Sequence, residues 1–385
     1  MVPFRDDLWN LPEWMYTIHW IVVIVCGALV VYGLWRRVRL WREGGPALRT
    51  DRAGRRIGGL LLYALAQRRV LAQAYPGLMH GLIFYGFVVF FIATSLVGIQ
   101  MDLHLLILQG PFYLVFEAVV NAFALLFLIG LGLAALRRYI LRPDRLNIRR
   151  DDAYVLGSLA FIALTGLTLE VMRLRGQQPP WADWSWLGNA LSRLFGPRPE
   201  QPPAIYPFVW WTHQLTTFFL IATLPYHKFL HIVTGPVNIY LRRLDTPGAL
   251  PKIEDIETTE EPLGVGSIPQ FTWKQLLDGD ACMECGRCQA ACPAERTGKS
   301  LNPRLLVHGG KRNLFINSQA MWNDRRIDSL PPPVDENEMP VALIGDQLGF
   351  AEATHFVKFF RRETGLTPGA FRAEQRSQGS RIRST

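Results

Sequence analysis

Five long apolar stretches separated by polar segments dominate the N-terminal part of the chain. They cover roughly residues 14–35, 78–97, 111–136, 153–172 and 207–233. A helix needs roughly 20 apolar residues to cross a bilayer, so each stretch predicts a transmembrane helix. After residue 245 the pattern changes to polar, acidic linkers that flank a compact polar unit. We therefore predict a mainly α protein in which a five-helix transmembrane bundle precedes a small helical domain and a tail. The predicted domains are residues 1–245, 246–340 and 341–385.

Charge predicts the orientation of these spans. The segment 36–78 holds ten arginines and no lysine, whereas the loop 98–110 holds neither arginine nor lysine. Basic loops stay on the cytoplasmic side. We expect a multi-pass protein of the bacterial inner membrane, embedded in lipid, with its N-terminus outside and the region after residue 245 in the cytoplasm. The N-terminal residues predict no cleavable signal peptide. The net charge of +9 then follows from topology, and nucleic-acid binding is not expected.

The fifth apolar stretch carries three histidines, His213, His227 and His231. If this stretch is one helix, the 18 residues between His213 and His231 make five turns and put both rings on one face, ~27 Å apart. Ionisable side chains inside a membrane are usually functional, and imidazole is a common axial ligand of haem iron. The pattern therefore predicts a haem-binding bundle that holds haem b, with one haem expected and a second possible.

Depth in the bundle suggests how the histidines pair. His80 opens the second span and His231 closes the fifth, so both lie at the inner end and predict an inner haem. For an outer haem, His213 requires a partner about ten residues beyond His80, where Phe90 stands. His19 is the alternative partner. Each histidine could instead be a hydrogen-bonded core residue.

Two further residues near the inner end are candidates for contact with a quinone or a haem propionate. They are His227 and Lys228, one turn before His231. The alternative for Lys228 is a side chain that extends its ammonium group to the membrane interface. In the third span, Glu117 and Asn121 lie one turn apart and could serve a quinone proton or pack as polar residues.

The polar unit after residue 245 contains a dense cysteine motif. Four of the five cysteines follow the spacing C-x2-C-x2-C-x3-C-P and are Cys282, Cys285, Cys288 and Cys292. This is the spacing of bacterial ferredoxins, and it predicts that these residues bind a 4Fe-4S cluster in a ferredoxin-like domain. Zinc is the alternative. In two-cluster ferredoxins the fourth cysteine serves the other cluster, so a lone motif predicts a labile or incomplete cluster unless a partner supplies a cysteine.

The membrane part resembles the gamma subunit of respiratory nitrate reductase. The resemblance lies in His213 and His231, in Pro225 between them, and in His80 at the start of the second span. It implies a transmembrane cytochrome b domain in which His80 and His231 hold the inner haem and His213 the outer one. Phe90 departs from that family's pattern.

The whole chain to about residue 346 resembles membrane-bound iron-sulfur oxidoreductases related to heterodisulfide reductase, a group that includes electron-transfer-flavoprotein:menaquinone reductases. The resemblance rests on GPFYL (110–114), PPW (179–181), PYHKFLHI (225–232) and the cysteine motif. It implies electron transport to menaquinone or another quinone, with an electron-transfer flavoprotein or a CCG-domain iron-sulfur subunit as partner.

The tail after LIGD (343–346) resembles the last helix-turn-helix of AraC/XylS-type regulators, in a GF turn and a GLTPGAFR ending. We interpret it as a fusion or a truncation, natural or artificial, that ends in disordered residues. The leading hypothesis is a quinone-linked oxidoreductase subunit that functions within a complex. The alternatives are a non-catalytic haem-binding anchor, a truncated relic without function, and a membrane-tethered transcription regulator.

Overall fold

The computed structural model describes residues 2–7, 9–143, 146, 149–195, 203–245, 265, 268–297, 302–322 and 353–370. These residues are mainly helical and include no β-strand, which confirms the predicted fold class at this level. The chain divides into two compact units. The first comprises residues 1–38 and 49–242, and the second comprises residues 39–48 and 243–385.

The first unit is a set of helices joined by short turns. In the part that the structure describes, they are α1 (Glu13–Trp41, whose last three residues belong to the second unit), α2 (Ala53–Leu60), α3 (Arg68–Leu71), α4 (Ala74–Leu103), α5 (Gly110–Ala135), α6 (Arg150–Gln177), α7 (Trp186–Ser192), α8 (Tyr206–Thr223) and α9 (His231–Tyr240). Single π-helical turns extend α2 over Leu61–Leu65 and α5 over Leu136–Leu141.

Four helices are long and apolar enough to cross a membrane: Glu13–Trp41, Ala74–Leu103, Gly110–Leu141 and Arg150–Gln177. Large apolar side chains stand exposed on them, among them Ile24 at 66%, Val31 at 68% and Phe91 at 66%. Exposed apolar surface of this extent suits contact with lipid rather than water. The four helices agree with the first four predicted spans and indicate a membrane protein.

The fifth predicted span is not one helix, and this prediction was wrong. Helix α8 ends at Thr223, a 3₁₀ turn follows over Leu224–Tyr226, His227 is extended, and a second 3₁₀ turn leads into α9. Pro225 is the physical cause, because proline lacks the N–H that a helix needs and its ring clashes with the preceding turn. His213 and His231 therefore lie on different helices, and their common face on one helix does not exist.

The second unit is built around the end of α1. Its helices in the described ranges are α10 (Trp273–Asp280), α11 (Arg287–Ala291), α12 (Pro293–Arg296), α13 (Pro303–Trp322) and α14 (Ala353–Thr364). Leu40 packs with Ile268, Leu276 and Leu314 in its apolar core. The indole Nε1 of Trp41 donates to Asp280 at 2.9 Å.

The backbone after α1 also belongs to the second unit. Gly45 exchanges hydrogen bonds with the chain that leads into α10, because its N–H donates to Phe271 at 2.7 Å and its carbonyl accepts from Trp273 at 2.9 Å. A side chain at Gly44 would lie 2.6 Å from the Trp273 nitrogen, so this approach requires glycine. The segment 39–48 thus packs with the cysteine-bearing part, whereas sequence reasoning assigned it to domain 1–245.

Several predicted features lie outside the described residues. They are the linkers at 246–264 and 331–340, the LIGD stretch at 343–346, and the end of the tail after residue 370. The proposed division at residues 245 and 340 stays a prediction. Within the tail, α14 carries the periodicity expected of a helix, and Phe356 is buried.

Candidate functional site

The break between α8 and α9 is held by side chains from two other helices. The Asp151 carboxylate, in the first turn of α6, lies 2.6 Å from Nδ1 of His227 and accepts the Lys228 backbone N–H at 3.0 Å. From α1, Nε of Arg37 donates to the Pro225 carbonyl at 2.8 Å. Backbone groups freed by a break must find partners when water is scarce. Charged groups from α1 and α6 provide such partners here.

Lys228 is paired within the protein. Its ammonium group lies 3.0 Å from the carboxylate of Asp152, and its side chain is only 12% exposed. Asp152 also pairs with Arg138 and accepts the Arg149 backbone N–H at 3.0 Å. The lysine side chain therefore crosses to α6 and does not extend freely to an interface.

His231 opens α9 and carries a hydrogen bond that sets its ring. Its Nδ1 lies 2.8 Å from the Lys228 carbonyl, which can only accept, so Nδ1 carries the proton. Nε2 then keeps its lone pair. Metal-ligating histidines usually donate their other ring N–H in this way. The donor chemistry of His231 therefore fits an axial haem ligand.

His80 lies on the α4 surface that faces this region. Its ring is nearly parallel to that of Phe84, with the ring centroids 6.3 Å apart. Phe87, two turns further along α4 and ~10.5 Å away, contacts Phe229 edge-to-face at 5.6 Å. Phe229 is two residues before His231. The face of α4 that carries His80 therefore packs against the segment that carries His231.

The two outer candidates lie against different elements. Nδ1 of His213 is 3.0 Å from the Thr165 hydroxyl on α6, and a side chain at Gly166 would lie 3.2 Å from the His213 ring. His19 contacts Trp210 and Phe218 at centroid distances of 6.0 and 5.5 Å. On α8, Trp210 and Phe218 lie about 60° and about 140° around the helix axis from His213.

His19 nevertheless has an unusual environment. It is 7% exposed, and its Nδ1 has no hydrogen-bond partner within the described residues. Leaving a buried polar atom unpaired is costly, so this nitrogen is suited to bind a cofactor. Phe90, in contrast, packs on Phe127 at 5.3 Å in the apolar core.

Glu117 and Asn121 belong to a buried polar network at the far end of the bundle, which we call the Glu117 network. Glu117 accepts from Ser185 at 2.6 Å, from Arg173 at 3.3 Å and from Arg5 at 3.4 Å. Both of its oxygens are engaged, and this contact set favours a packing role over proton exchange.

Asn121 connects the Glu117 network to helix α7. Its carbonyl oxygen accepts the backbone N–H groups of Leu187 and Gly188 at 2.9 and 3.1 Å, and its amide donates to Glu170 at 2.8 Å. The side chain is thereby fully used, and it fixes the first turn of α7 against α5.

The four predicted cluster ligands lie in the loop and short helices after α10. None of the four forms a disulfide; Cys282 and Cys292 are half-buried, and Cys285 and Cys288 are exposed. The backbone is left-handed at Glu284 and Gly286, with φ of 53° and 72°, so the chain reverses tightly inside the motif.

The cysteine thiols are not gathered around one point in this arrangement. In the described ranges, no three His, Cys, Asp or Glu side chains form a group that could hold a metal ion. Burial raises the pKa of the Cys282 thiol, while the nearby Lys311 ammonium acts in the opposite direction. Four thiols at ferredoxin spacing are still the donor set that a 4Fe-4S cluster requires.

Sequence reasoning missed the partners of these candidates. Asp151 and Asp152 are an acidic pair in the first turn of an apolar helix, inside an otherwise arginine-rich segment, and that placement was the available signal. Arg173 lies one residue beyond the predicted fourth span, yet it is 5% exposed and pairs with Glu117. Arg56 was counted as a loop charge, yet it is 1% exposed and donates to the Tyr240 and Arg242 carbonyls.

Taken together, the four apolar helices and the ferredoxin-type cysteine spacing define a membrane-associated protein of the iron-sulfur class. Comparison with known proteins supports an iron-sulfur oxidoreductase. The chain is 31% identical over 330 residues to the EtfAB:quinone oxidoreductase of Syntrophomonas wolfei. The aligned region covers 81% of this chain and 45% of that protein. It is 31% identical over 312 residues to the probable iron-sulfur-binding oxidoreductase FadF of Bacillus subtilis. That aligned region covers 76% of this chain and 43% of FadF.

Two shorter similarities concern parts of the chain. A probable membrane-anchored ferredoxin of Chromohalobacter salexigens is 52% identical over 56 residues, covering 14% of this chain and 8% of that protein. The arabinose operon regulatory protein of Escherichia coli is 32% identical over 73 residues, covering 19% of this chain and 25% of the regulator. The resemblance to AraC-type regulators is therefore weak and partial.

The chain spans less than half the length of the two oxidoreductases that it matches most extensively. No protein-family model and no solved structure matches it.

Proposed function

We propose that the protein is a membrane-bound electron-transfer subunit that passes electrons between a 4Fe-4S cluster, haem b and a quinone. Cys282, Cys285, Cys288 and Cys292 would hold the cluster. His80 and His231 would hold the inner haem. When bound, these groups supply one-electron carriers, and the chain's own residues ligate them, orient them and exclude water.

One observation carries the haem assignment. The Nδ1–H of His231 is directed to the Lys228 carbonyl, which leaves Nε2 as a lone-pair donor. The contact between Phe87 and Phe229 supports His80 as its partner, since Phe87 shares a face of α4 with His80. For a second haem, His213 stays the candidate, with its ring oriented by Thr165. The unpaired Nδ1 of His19 supports that histidine as a further candidate.

The partners follow from the chemistry and from the relatives. The name of the Syntrophomonas wolfei relative supports an electron-transfer flavoprotein as donor and a quinone as acceptor. Menaquinone is the quinone that the family resemblance implies. A CCG-domain iron-sulfur subunit is a second candidate partner. We place the protein in the bacterial inner membrane with its N-terminus outside, since the arginine-rich ends of α1 and α5 suit the cytoplasmic side. The iron-sulfur unit would then be cytoplasmic.

A reduced-minus-oxidised visible spectrum of purified membranes, quantified against protein, tests the haem assignment. We expect a b-type band that disappears in His231→Ala and His80→Ala. His355→Ala is the matched control, because this histidine is exposed on α14 and should leave the band unchanged. A full band in His231→Ala would contradict the assignment. Two haems per chain would implicate His213 and His19.

Non-haem iron and acid-labile sulfide, measured on the purified chain, test the cluster. We expect non-haem iron that is easily lost to a chelator and absent in Cys285→Ser, while Cys26→Ser keeps it because that thiol lies buried in α1, outside the motif. Zinc in place of iron and sulfide would contradict the cluster.

If haem is present but a quinone does not oxidise it, the result favours the non-catalytic anchor.

A further inference from the structure

The break between α8 and α9 brings together a histidine and a carboxylate in a way that sequence did not predict. Nδ1 of His227 and Oδ1 of Asp151 are 2.6 Å apart. The second carboxylate oxygen is held by the Lys228 backbone N–H at 3.0 Å, so Asp151 cannot rotate away without losing that bond. The carboxylate therefore sets the ring orientation and keeps the proton of neutral His227 on Nδ1.

The ring is also reachable. The His227 side chain is 34% exposed and that of Asp151 is 26% exposed, whereas the Glu117 carboxylate at the opposite end is 4% exposed. The centroid of the imidazole lies 4.7 Å from that of the Tyr154 ring, with the two planes tilted by 42°. A ring that packs against a tyrosine, is tethered through Nδ1 and keeps a third of its side chain exposed can exchange a proton through Nε2.

The other charged groups that the described contacts bring to the break have partners of their own. Lys228 and Arg138 both pair with Asp152, and Arg37 from α1 donates to the Pro225 carbonyl. The Tyr154 hydroxyl lies 2.6 Å from that of Thr223. Among these groups, Asp151 is the carboxylate that contacts the imidazole. It is the group that can stabilise a positively charged ring.

We propose that Asp151 and His227 form a proton-transfer dyad that donates protons to a quinone at the break, with His227 as the donor and Asp151 as its positioning residue. This inference rests on the proposed function, which supplies the electrons. Reduction of a quinone to a hydroquinone consumes two electrons, which the proposed haem would supply as reductant, and two protons. For each proton, an Nε2–H bond of the imidazolium breaks and an O–H bond of the hydroquinone forms. Solvent water then returns a proton to Nε2.

The dyad explains why a charged pair occupies a break so near His231. The proposed haem ligand His231 lies four residues along the chain from the proton donor His227, across one 3₁₀ turn. Electron and proton delivery would therefore meet at the same segment of chain. General acid catalysis by a positioned histidine contributes roughly 10²–10⁴ in rate.

The test uses full-length protein in membranes whose haem has been reduced. Reoxidation by a short-chain 1,4-naphthoquinone is followed by stopped flow between pH 5 and pH 9. We expect Asp151→Asn and His227→Gln to slow reoxidation by about 10²-fold and to flatten its pH profile. The haem spectrum and the quinone concentration at half-maximal rate should stay unchanged. Asp151→Glu should recover part of the rate, because it restores a carboxylate.

Thr223→Val is the matched control. It removes the hydrogen bond to Tyr154 at the same break without touching the imidazole, and it should keep both the rate and the pH profile. Wild-type rates and profiles in Asp151→Asn and His227→Gln would overturn the dyad. Loss of the haem band in both variants and in Asp151→Glu would also overturn it, by assigning the pair to holding the fold. If wild-type haem is not reoxidised by the quinone at all, the proposed function itself fails, which is a distinct result.

Discussion

The first unit contains two polar clusters at opposite ends of its helices, and they are built differently. The Glu117 network is buried, with the Glu117 side chain 4% and the Arg173 side chain 6% exposed. At the break, His227 and Asp151 are 34% and 26% exposed. A buried charge is tolerated only when each of its atoms is paired, and such pairing leaves no atom available for exchange. The comparison indicates that the first cluster holds helices together, whereas the second can take part in chemistry.

The largest expected effect comes from breaking the Glu117 network. Glu117→Gln keeps the shape of the side chain but leaves Arg173 buried without its charged partner. Removing one member of a buried pair costs roughly 3–5 kcal/mol. Thermal unfolding in detergent should show a midpoint lower by on the order of 10 °C.

The control for this experiment is Arg193→Gln at the pair with Asp183, whose side chains are 71% and 86% exposed. We expect no measurable shift in the unfolding midpoint, because exposed ion pairs contribute little. Equal midpoints for Glu117→Gln and wild type would remove the distinction between the two clusters.

A smaller effect should follow from disturbing the break through α1. A side chain at Gly33 would lie 2.7 Å from Cβ and Cγ of Pro225, and the proline ring cannot move aside freely. Gly33→Ala should therefore destabilise the unit by about 1–3 kcal/mol, the usual range for overpacking. Unfolding followed by tryptophan fluorescence measures the change.

Gly27→Ala is the matched control on the same helix, because its added methyl group meets nothing within 4 Å. It should leave stability unchanged or raise it by up to about 1 kcal/mol, since alanine favours helix. If both variants behave alike, the close packing of α1 on the break is not required.

The smallest expected effect concerns the ion pair between Arg56, which is buried, and Asp51, which is about one-third exposed. This pair is intermediate between the two clusters. Hydrogen bonds from Arg56 and then Arg52 lower the pKa of the Asp51 carboxyl to about 2. Because this folded-state pKa lies below the ordinary value of 3.8, the contribution of Asp51 to stability is present above about pH 4 and is lost as the pH falls towards 2.

Unfolding midpoints measured between pH 5 and pH 2.5 should fall less steeply in Asp51→Asn than in wild type. Asp245→Asn is a suitable control, because that carboxyl is 52% exposed and pairs with a neighbouring exposed arginine. Identical slopes for Asp51→Asn and wild type would show that the Asp51–Arg56 pair contributes nothing in acid.

The sequence by itself determined features that short stretches of chain specify, namely the long apolar helices and the cysteine motif. Runs of apolar residues were enough to predict the four long helices, because hydropathy over about 20 residues sets membrane compatibility. The cysteine spacing pointed to an iron-sulfur protein, a class that the relatives support, because ligand chemistry is written in a short motif. Pro225 was visible too, but its consequence was missed, since hydropathy continues unchanged across the break.

Only the tertiary structure decided how these parts are joined. Asp151 and His227 are 76 residues apart in sequence, and Glu117 and Arg173 are 56 apart. The segment 39–48 is continuous with α1 yet packs in the second unit. Such pairings depend on which helix faces pack together, and a one-dimensional pattern of polarity does not carry that information. Arg173 and Arg37 lie outside the predicted spans in the sequence, yet the tertiary structure brings Arg173 to the Glu117 network and Arg37 to the break.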